Sequence, residues 1–167
     1  MAFSLTELLP RQSGSKNTIR AQWDALSRLP GGKLLFSKLV GQFAPYTGTI
    51  GAVVEDVRVG YARVALADRR AVRNHLQCVH AVALVNLAEL TGNLALAYSL
   101  PDDARFIVAG LSIEYKKKAR GALTAISEPE VPTSSERREI PIVVSIRNID
   151  GDEVAVATLR SLVGPKK

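Results

Sequence analysis

Cysteine is nearly absent: the chain of 167 residues has one, Cys78. One thiol forms no internal disulfide, which suits a reducing compartment and predicts a cytoplasmic protein. Histidine is scarce too. His75 and His80, even joined by Cys78, fall short of the four ligands of a structural zinc site, so no metal is expected. Aromatic residues make up only 5 %, whereas single-stranded nucleic-acid binders stack bases on aromatic side chains. The net charge is +6, yet the basic residues are scattered along the whole chain. Scatter argues against a nucleic-acid partner, while a basic balance still permits a small anionic one. The start, Met-Ala-Phe-Ser-Leu-Thr-Glu, has neither the basic flank nor the apolar core of a signal peptide. Internal repeats and low-complexity tracts are missing as well.

What is present reads as globular. Hydrophobic residues are 47 % and charged residues 23 %. A chain of this size buries roughly two-thirds of its unfolded surface, so it folds without staples. No composition shift divides it. One domain over residues 1–167 is expected, with an arm and helices over 1–44 and a core over 45–167. The most apolar stretch, Val79 to Leu100, is long enough for a membrane span. It contains His80, Asn86, Glu89 and Asn93, and such groups are expensive at membrane depth. It is therefore expected as a helix buried in protein, with no membrane span.

The hydrophobic period orders the rest. Residues 1–16 read as a loose arm ending at Ser13-Gly14-Ser15. A helix is predicted over Thr18 to Leu29, capped by Asn17, with Ile19, Trp23, Leu26 and Leu29 on one face. Pro30-Gly31-Gly32 stops it, a second helix follows over Lys33 to Phe43, and Ala44 to Gly48 ends that one. The period then changes to two. Strands are predicted over Ile50–Val59 and Tyr61–Ala67, reversing at Gly60, and Asp68 to Gln77 reads as a loop. After the apolar helix come strands over Arg105–Tyr115, Ala122–Val131, Glu139–Ile149 and Val154–Val163. Pro132 to Ser135 and Asp150-Gly151-Asp152 are turn signals.

Hairpins imply an antiparallel sheet, and a helix apolar nearly all round must be covered on most sides. A curved antiparallel sheet folded around one long helix meets both demands and gives an α+β architecture. Val79, Val82, Ala83, Leu84, Leu87, Leu90, Leu94 and Leu96 are the expected core of that contact.

Polar residues interrupt this region at Asn74, His80 and Glu89. Glutamate is almost never fully buried unless paired or functional. Desolvation would raise its pKa, which suits a proton-exchanging group near neutral pH. Glu89 reads equally as the exposed stripe of an amphipathic helix, His80 as a helix-start hydrogen bond, and Asn74 as a turn residue.

The run Asn74-His75-Leu76-Gln77-Cys78-Val79-His80-Ala81-Val82, followed by Leu87-Ala88-Glu89, resembles the hotdog acyl-CoA thioesterases of the phenylacetyl-CoA thioesterase type. Those enzymes show an Asn, a His-Gly-Gly six positions on, and an acid nine positions after the His. Asn74, His80 and Glu89 fall at that spacing. Tyr115 to Gly121 resembles the family's strand end, so the likeness spans about residues 45–164. It is closer still to an uncharacterised bacterial branch with Asn-His and His-Ala motifs. The resemblance implies a hotdog fold, a homodimer or homotetramer, and a coenzyme A thioester as substrate with no cofactor. It implies Glu89 as general base or nucleophile, Asn74 orienting water or carboxylate, and His80 shaping the loop. The backbone N–H groups of Ala81 and Val82 would face the thioester oxygen, as helix N-termini do for developing anions.

Two departures stand out. Ala81-Val82 replaces Gly-Gly, and Val108-Ala109-Gly110 carries no hydroxyl before Ser112, which predicts a drier site. Lys117, Lys118 and Arg120 read either as a solvated turn or as holders of coenzyme A phosphates, with Lys116 and Lys118 on one strand face and Lys117 on the other. Two other functions fit the same fold. One is a non-catalytic acyl-CoA or lipid-binding domain. The other is a dehydratase, whose usual His-Phe-Pro-Gly segment is absent.

Overall fold

The computed structural model describes residues 16–166, so the arm expected before Lys16 lies outside the described residues. The described residues start with three helices: α1 (Thr18–Leu26), α2 (Gly32–Phe43) and α3 (Pro45–Gly48). Asn17 caps α1, its Oδ1 accepting the Arg20 N–H at 3.0 Å. Its Nδ2 donates to the Ala97 carbonyl at 2.6 Å, so one side chain serves the ends of two helices. α1 stops three residues before the expected Leu29. Trp23 of α1 meets Phe36 of α2 edge-to-face at 5.1 Å, and both are buried.

α3 stands where the sequence predicts only a break. Its tight seat on α2 depends on two glycines. A Cβ on Gly41 would sit 3.0 Å from the Gly48 Cα, and a Cβ on Gly48 would sit 2.9 Å from the Gly41 Cα.

Six antiparallel strands follow: β1 (Val53–Arg58), β2 (Tyr61–Leu66), β3 (Ala104–Tyr115), β4 (Leu123–Ser127), β5 (Arg138–Asn148) and β6 (Glu153–Pro165). Their order is β1-β2-β4-β5-β6-β3. Gly60 and Gly151 adopt positive φ (69° and 84°) at the predicted reversals. β3 does not pair with its successor; it crosses to the far edge and pairs with β6. β4 is shorter than the sequence predicts, because Pro129 and Pro132 follow it and proline donates nothing to a ladder.

α4 (Ala81–Ser99) lies inside the curve of the sheet. Leu87, Ala88, Ala95 and Leu96 of α4 are wholly buried, as are Ile142, Val144, Ala157 and Leu159 of the strands. Each large apolar side chain so buried contributes about 1.5–3 kcal/mol. Gly92 brings α4 close to the sheet: a Cβ there would stand 3.1 Å from Ile142 Cγ2 and 3.2 Å from Val144 Cγ2. α4 passes a length-and-composition test for a membrane span, but 61 % of its most apolar window is buried inside the fold.

One expected core residue is not core. Val82 is 50 % exposed, because it falls on the one stripe of α4 that the sheet leaves uncovered. The other seven expected core residues are buried.

Candidate functional site

The loop between β2 and α4 is built around Asp68 and Asn74. Asp68 Oδ1 accepts from Arg73 Nε at 2.6 Å, and Oδ2 accepts from the Gly121 N–H at 2.9 Å. Its side chain is 9 % exposed. The Arg73 bond, aided by Gly121 and opposed by burial, holds the Asp68 carboxyl below the usual Asp value. Asn74 closes a tight turn: its N–H donates to the Cys78 carbonyl at 2.9 Å, and its Oδ1 accepts from the Leu76 N–H at 2.9 Å. The Cys78 thiol also donates to that oxygen, at 3.3 Å. Gln77 supplies the left-handed residue of the turn (φ 57°). Asn74 is thus first a turn builder, and only its amide nitrogen is left for another role.

The turn delivers the chain to the start of α4. The Val79 N–H donates to the Ala119 carbonyl and the His80 N–H to the Val72 carbonyl, both at 2.8 Å. His80 is the N-cap. Its Nδ1 accepts the Val82 N–H at 3.1 Å, which fixes the imidazole proton on Nε2. The Val82 amide expected to face a thioester oxygen is therefore occupied by the cap in this conformation. The Ala81 and Ala83 N–H groups have no acceptor among the described residues. Helix N-termini carry such unpaired donors and a partial positive charge, and so favour an anion. From β3, Tyr115 donates to the Ala81 carbonyl at 3.4 Å. A depression of about 210 Å³ opens here, lined by Tyr46, Thr49, Arg73, His80, Val82 and Asn86 among others. Asn86 is buried, and its Nδ2 donates to the Tyr46 carbonyl at 3.1 Å. Sequence reasoning left Asn86 without a role; a polar amide within the apolar run, about one and a half turns from the helix start, was its signal.

Glu89 is elsewhere on the same helix. Nine residues separate it from His80, about 13.5 Å along the axis. It shares the uncovered stripe with Val82 and Val85, half-buried, with no ion-pair partner among the described residues. One turn further on, Asn93 Oδ1 is buried without a hydrogen bond. Within one chain, Asn74, His80 and Ala81 are therefore together and Glu89 is not.

The basic turn lies outside a strand. β3 ends at Tyr115, so strand alternation does not sort Lys116 to Lys118. Instead Lys116 pairs with Glu153, and Lys117 pairs with Asp152 at 2.8 Å. These lysines hold both carboxyls below their usual range. Lys118 and Arg120 are exposed and unpaired among the described residues. The Val79–Ala119 and Asp68–Gly121 bonds fasten this turn to the start of α4. Arg70, in the 3₁₀ turn Arg70–Val72, and Arg73 come to the same end from the other side. Asp68 joins Arg73 to the turn that carries Arg120, since its carboxylate takes both the Arg73 guanidinium and the Gly121 N–H.

A long apolar helix held in a curved antiparallel sheet of this order is the hotdog fold. Residues 32–163 match a domain of unknown function, DUF4442, and the chain belongs to that family. A protein solved by structural genomics is 30 % identical, with a TM-score of 0.76, covering 89 % of this chain and 98 % of its own. A Pseudomonas aeruginosa protein described as a probable thioesterase is 18 % identical, with a TM-score of 0.71, covering 83 % and 97 %. A thioesterase family protein from Silicibacter pomeroyi is 13 % identical, with a TM-score of 0.66, covering 78 % and 96 %. No curated protein is detectably similar in sequence.

Proposed function

We propose that this chain is an acyl-CoA thioesterase, cleaving a thioester to a carboxylic acid and free coenzyme A, and that it works as a homodimer. The observation that carries the reading is the separation of two half-sites on one helix. The start of α4 offers an unpaired Ala81 amide beside His80 and Asn74. Glu89 lies about 13.5 Å along, on a stripe that none of the described residues covers and with no ion-pair partner among them. A second copy joined along the free edge of β3 would bring its Glu89 against this helix start. The long edge supports that joining, since unpaired strand edges are normally covered.

In the assembled site the thioester carbonyl oxygen accepts from the Ala81 amide, where negative charge develops during attack. Glu89 of the second copy takes a proton from the water that attacks the carbonyl carbon, the C–S bond breaks, and the departing coenzyme A thiolate takes that proton. Alternatively Glu89 attacks the carbon itself, expels the thiolate, and water then hydrolyses the resulting anhydride. Asn74 orients water or the carboxylate through its amide nitrogen. His80 keeps the helix start in shape. Lys118, Arg120 and Arg70 face solvent without partners and suit the phosphates of coenzyme A, while Lys117 reaches them only by leaving Asp152. The thioesterase descriptions of two structural relatives agree with the reaction class.

Glu89→Gln is the direct test. It keeps size and removes the ionisable oxygen, so acyl-CoA hydrolysis falls by at least about a hundredfold while the fold is retained. A Glu89→Gln protein as fast as wild type excludes the mechanism and favours the second reading, a non-catalytic acyl-CoA-binding domain. The engaged Val82 amide is the feature that favours that second reading.

A further inference from the structure

A second and larger depression, about 680 Å³, lies between α2, α3 and β1. That volume falls in the range of small-molecule sites. Its walls are mostly apolar, with Leu34, Val40, Val53, Val54 and Leu90 among them, and Lys38 is the one charged residue in its lining among the described residues. Gly41 and Gly48 add no side chain to it, and they cannot acquire one without moving the α2–α3 contact.

The depression adjoins the half-site at the start of α4 across α3. Thr49 lines both. α3 forms the ridge between them: Pro45, Thr47 and Gly48 face the larger hollow, and Tyr46 faces the smaller. Leu90, in the wall of the larger one, directly follows Glu89. An apolar groove that opens beside a thioester site suits the apolar part of the thioester. The groove follows α2 from Leu34 to Gln42, about 12 Å by helix rise, which matches an extended chain of about ten carbons.

We infer that this groove holds the hydrocarbon chain of the substrate, which makes the substrate a medium- or long-chain aliphatic acyl-CoA. The inference rests on the thioester reading of the α4 end and extends it to a substrate class. The chain passes Thr49, over the α3 ridge, and lies against Leu34, Val53 and Leu90. Coenzyme A stays on the basic side of the α4 start.

Non-hydrolysable S-alkyl-coenzyme A thioethers, from ethyl to dodecyl, test the groove without asking for turnover. Titration calorimetry on the full chain should show affinity rising at least tenfold from ethyl to decyl, with a ceiling of about fourfold per methylene. Leu34→Glu puts a charge on the groove wall at a position 54 % exposed, where the fold tolerates it. Val53→Trp fills the groove from the β1 side. Each should shrink the decyl-to-ethyl affinity ratio to below about threefold, read against the tenfold ladder of the wild type. Affinity independent of chain length, no binding by any member, or a ratio unchanged in both variants overturns the inference. Loss of the thioesterase reading leaves a different signature: length-dependent thioether binding with no hydrolysis of the matching acyl-CoA thioesters. Hydrolysis with no dependence on chain length overturns the groove and leaves the thioesterase reading standing.

Discussion

Asp68 shows how much one side chain decides in this protein. It was not singled out by the sequence, because an Asp after a strand reads as an ordinary loop residue. In the fold it joins the end of β2, the Arg73 segment and the Gly121 turn. Its carboxyl is held below the ordinary value of about 3.9. A carboxyl lowered by folding contributes stability above its ordinary value and loses it as pH falls through the lower folded value. Arg73 is more than a third exposed, so solvent screens the pair and its worth is modest. Asp68→Asn should therefore unfold at lower urea than wild type at pH 7, and the gap should close as pH falls through and below the ordinary Asp value. A gap that persists in acid would mean that shape, and not charge, holds the three loops.

His80 carries the opposite lesson at the same scale. The sequence allowed it either a helix-start hydrogen bond or a place in a catalytic constellation. The structure gives it the first by geometry, through Nδ1 on the Val82 amide. The second role is compatible only through Nε2, which the cap leaves free.

At the scale of elements, α4 and the span of β3 were legible in the sequence, α3 was not, and neither was the neighbour that β3 pairs with. An unbroken apolar run with helical spacing allows few outcomes, and the predicted Val79–Leu100 differs from Ala81–Ser99 only at the ends. Gly92 ties α4 to the sheet. In a free helix, Gly→Ala stabilises by up to about 1 kcal/mol. Here the new methyl meets Ile142, Val144 and Leu159 at 3.1, 3.2 and 3.3 Å together. Overpacking of this kind costs about 1–3 kcal/mol, so Gly92→Ala should lower the urea midpoint. A raised midpoint would show that the β5–β6 side chains give way freely. The register of β3 was out of reach, because alternation predicts a strand but not its neighbour. Its crossing to the far edge leaves Phe106, Val108, Leu111 and Ile113 only partly covered.

For the whole molecule, the uncovered α4 stripe and the free β3 edge set the assembly prediction. Val82 is exposed, so Val82→Glu leaves the fold of one chain intact. On the dimer reading it places a charge in the contact between copies. Light scattering should then show a shift from dimer to monomer at micromolar concentration, with hydrolysis lost alongside. A wild-type monomer that is fully active at that concentration sinks the shared site.

The sequence alone determined every main element but α3, since hydrophobic period, turn residues and caps act within a few positions of each other. It also determined which residue types stand at the Asn74, His80 and Glu89 spacing. Tertiary structure decided what those residues do. It occupied the Val82 amide, turned Asn74 inward to close a loop, and set Glu89 on an open stripe away from His80. It also gathered Arg70, Arg73 and Arg120 at one end and shaped the groove between α2, α3 and β1. The physical reason is distance along the chain: these arrangements join residues tens of positions apart, and no local spacing encodes which strand edge or helix face will meet which.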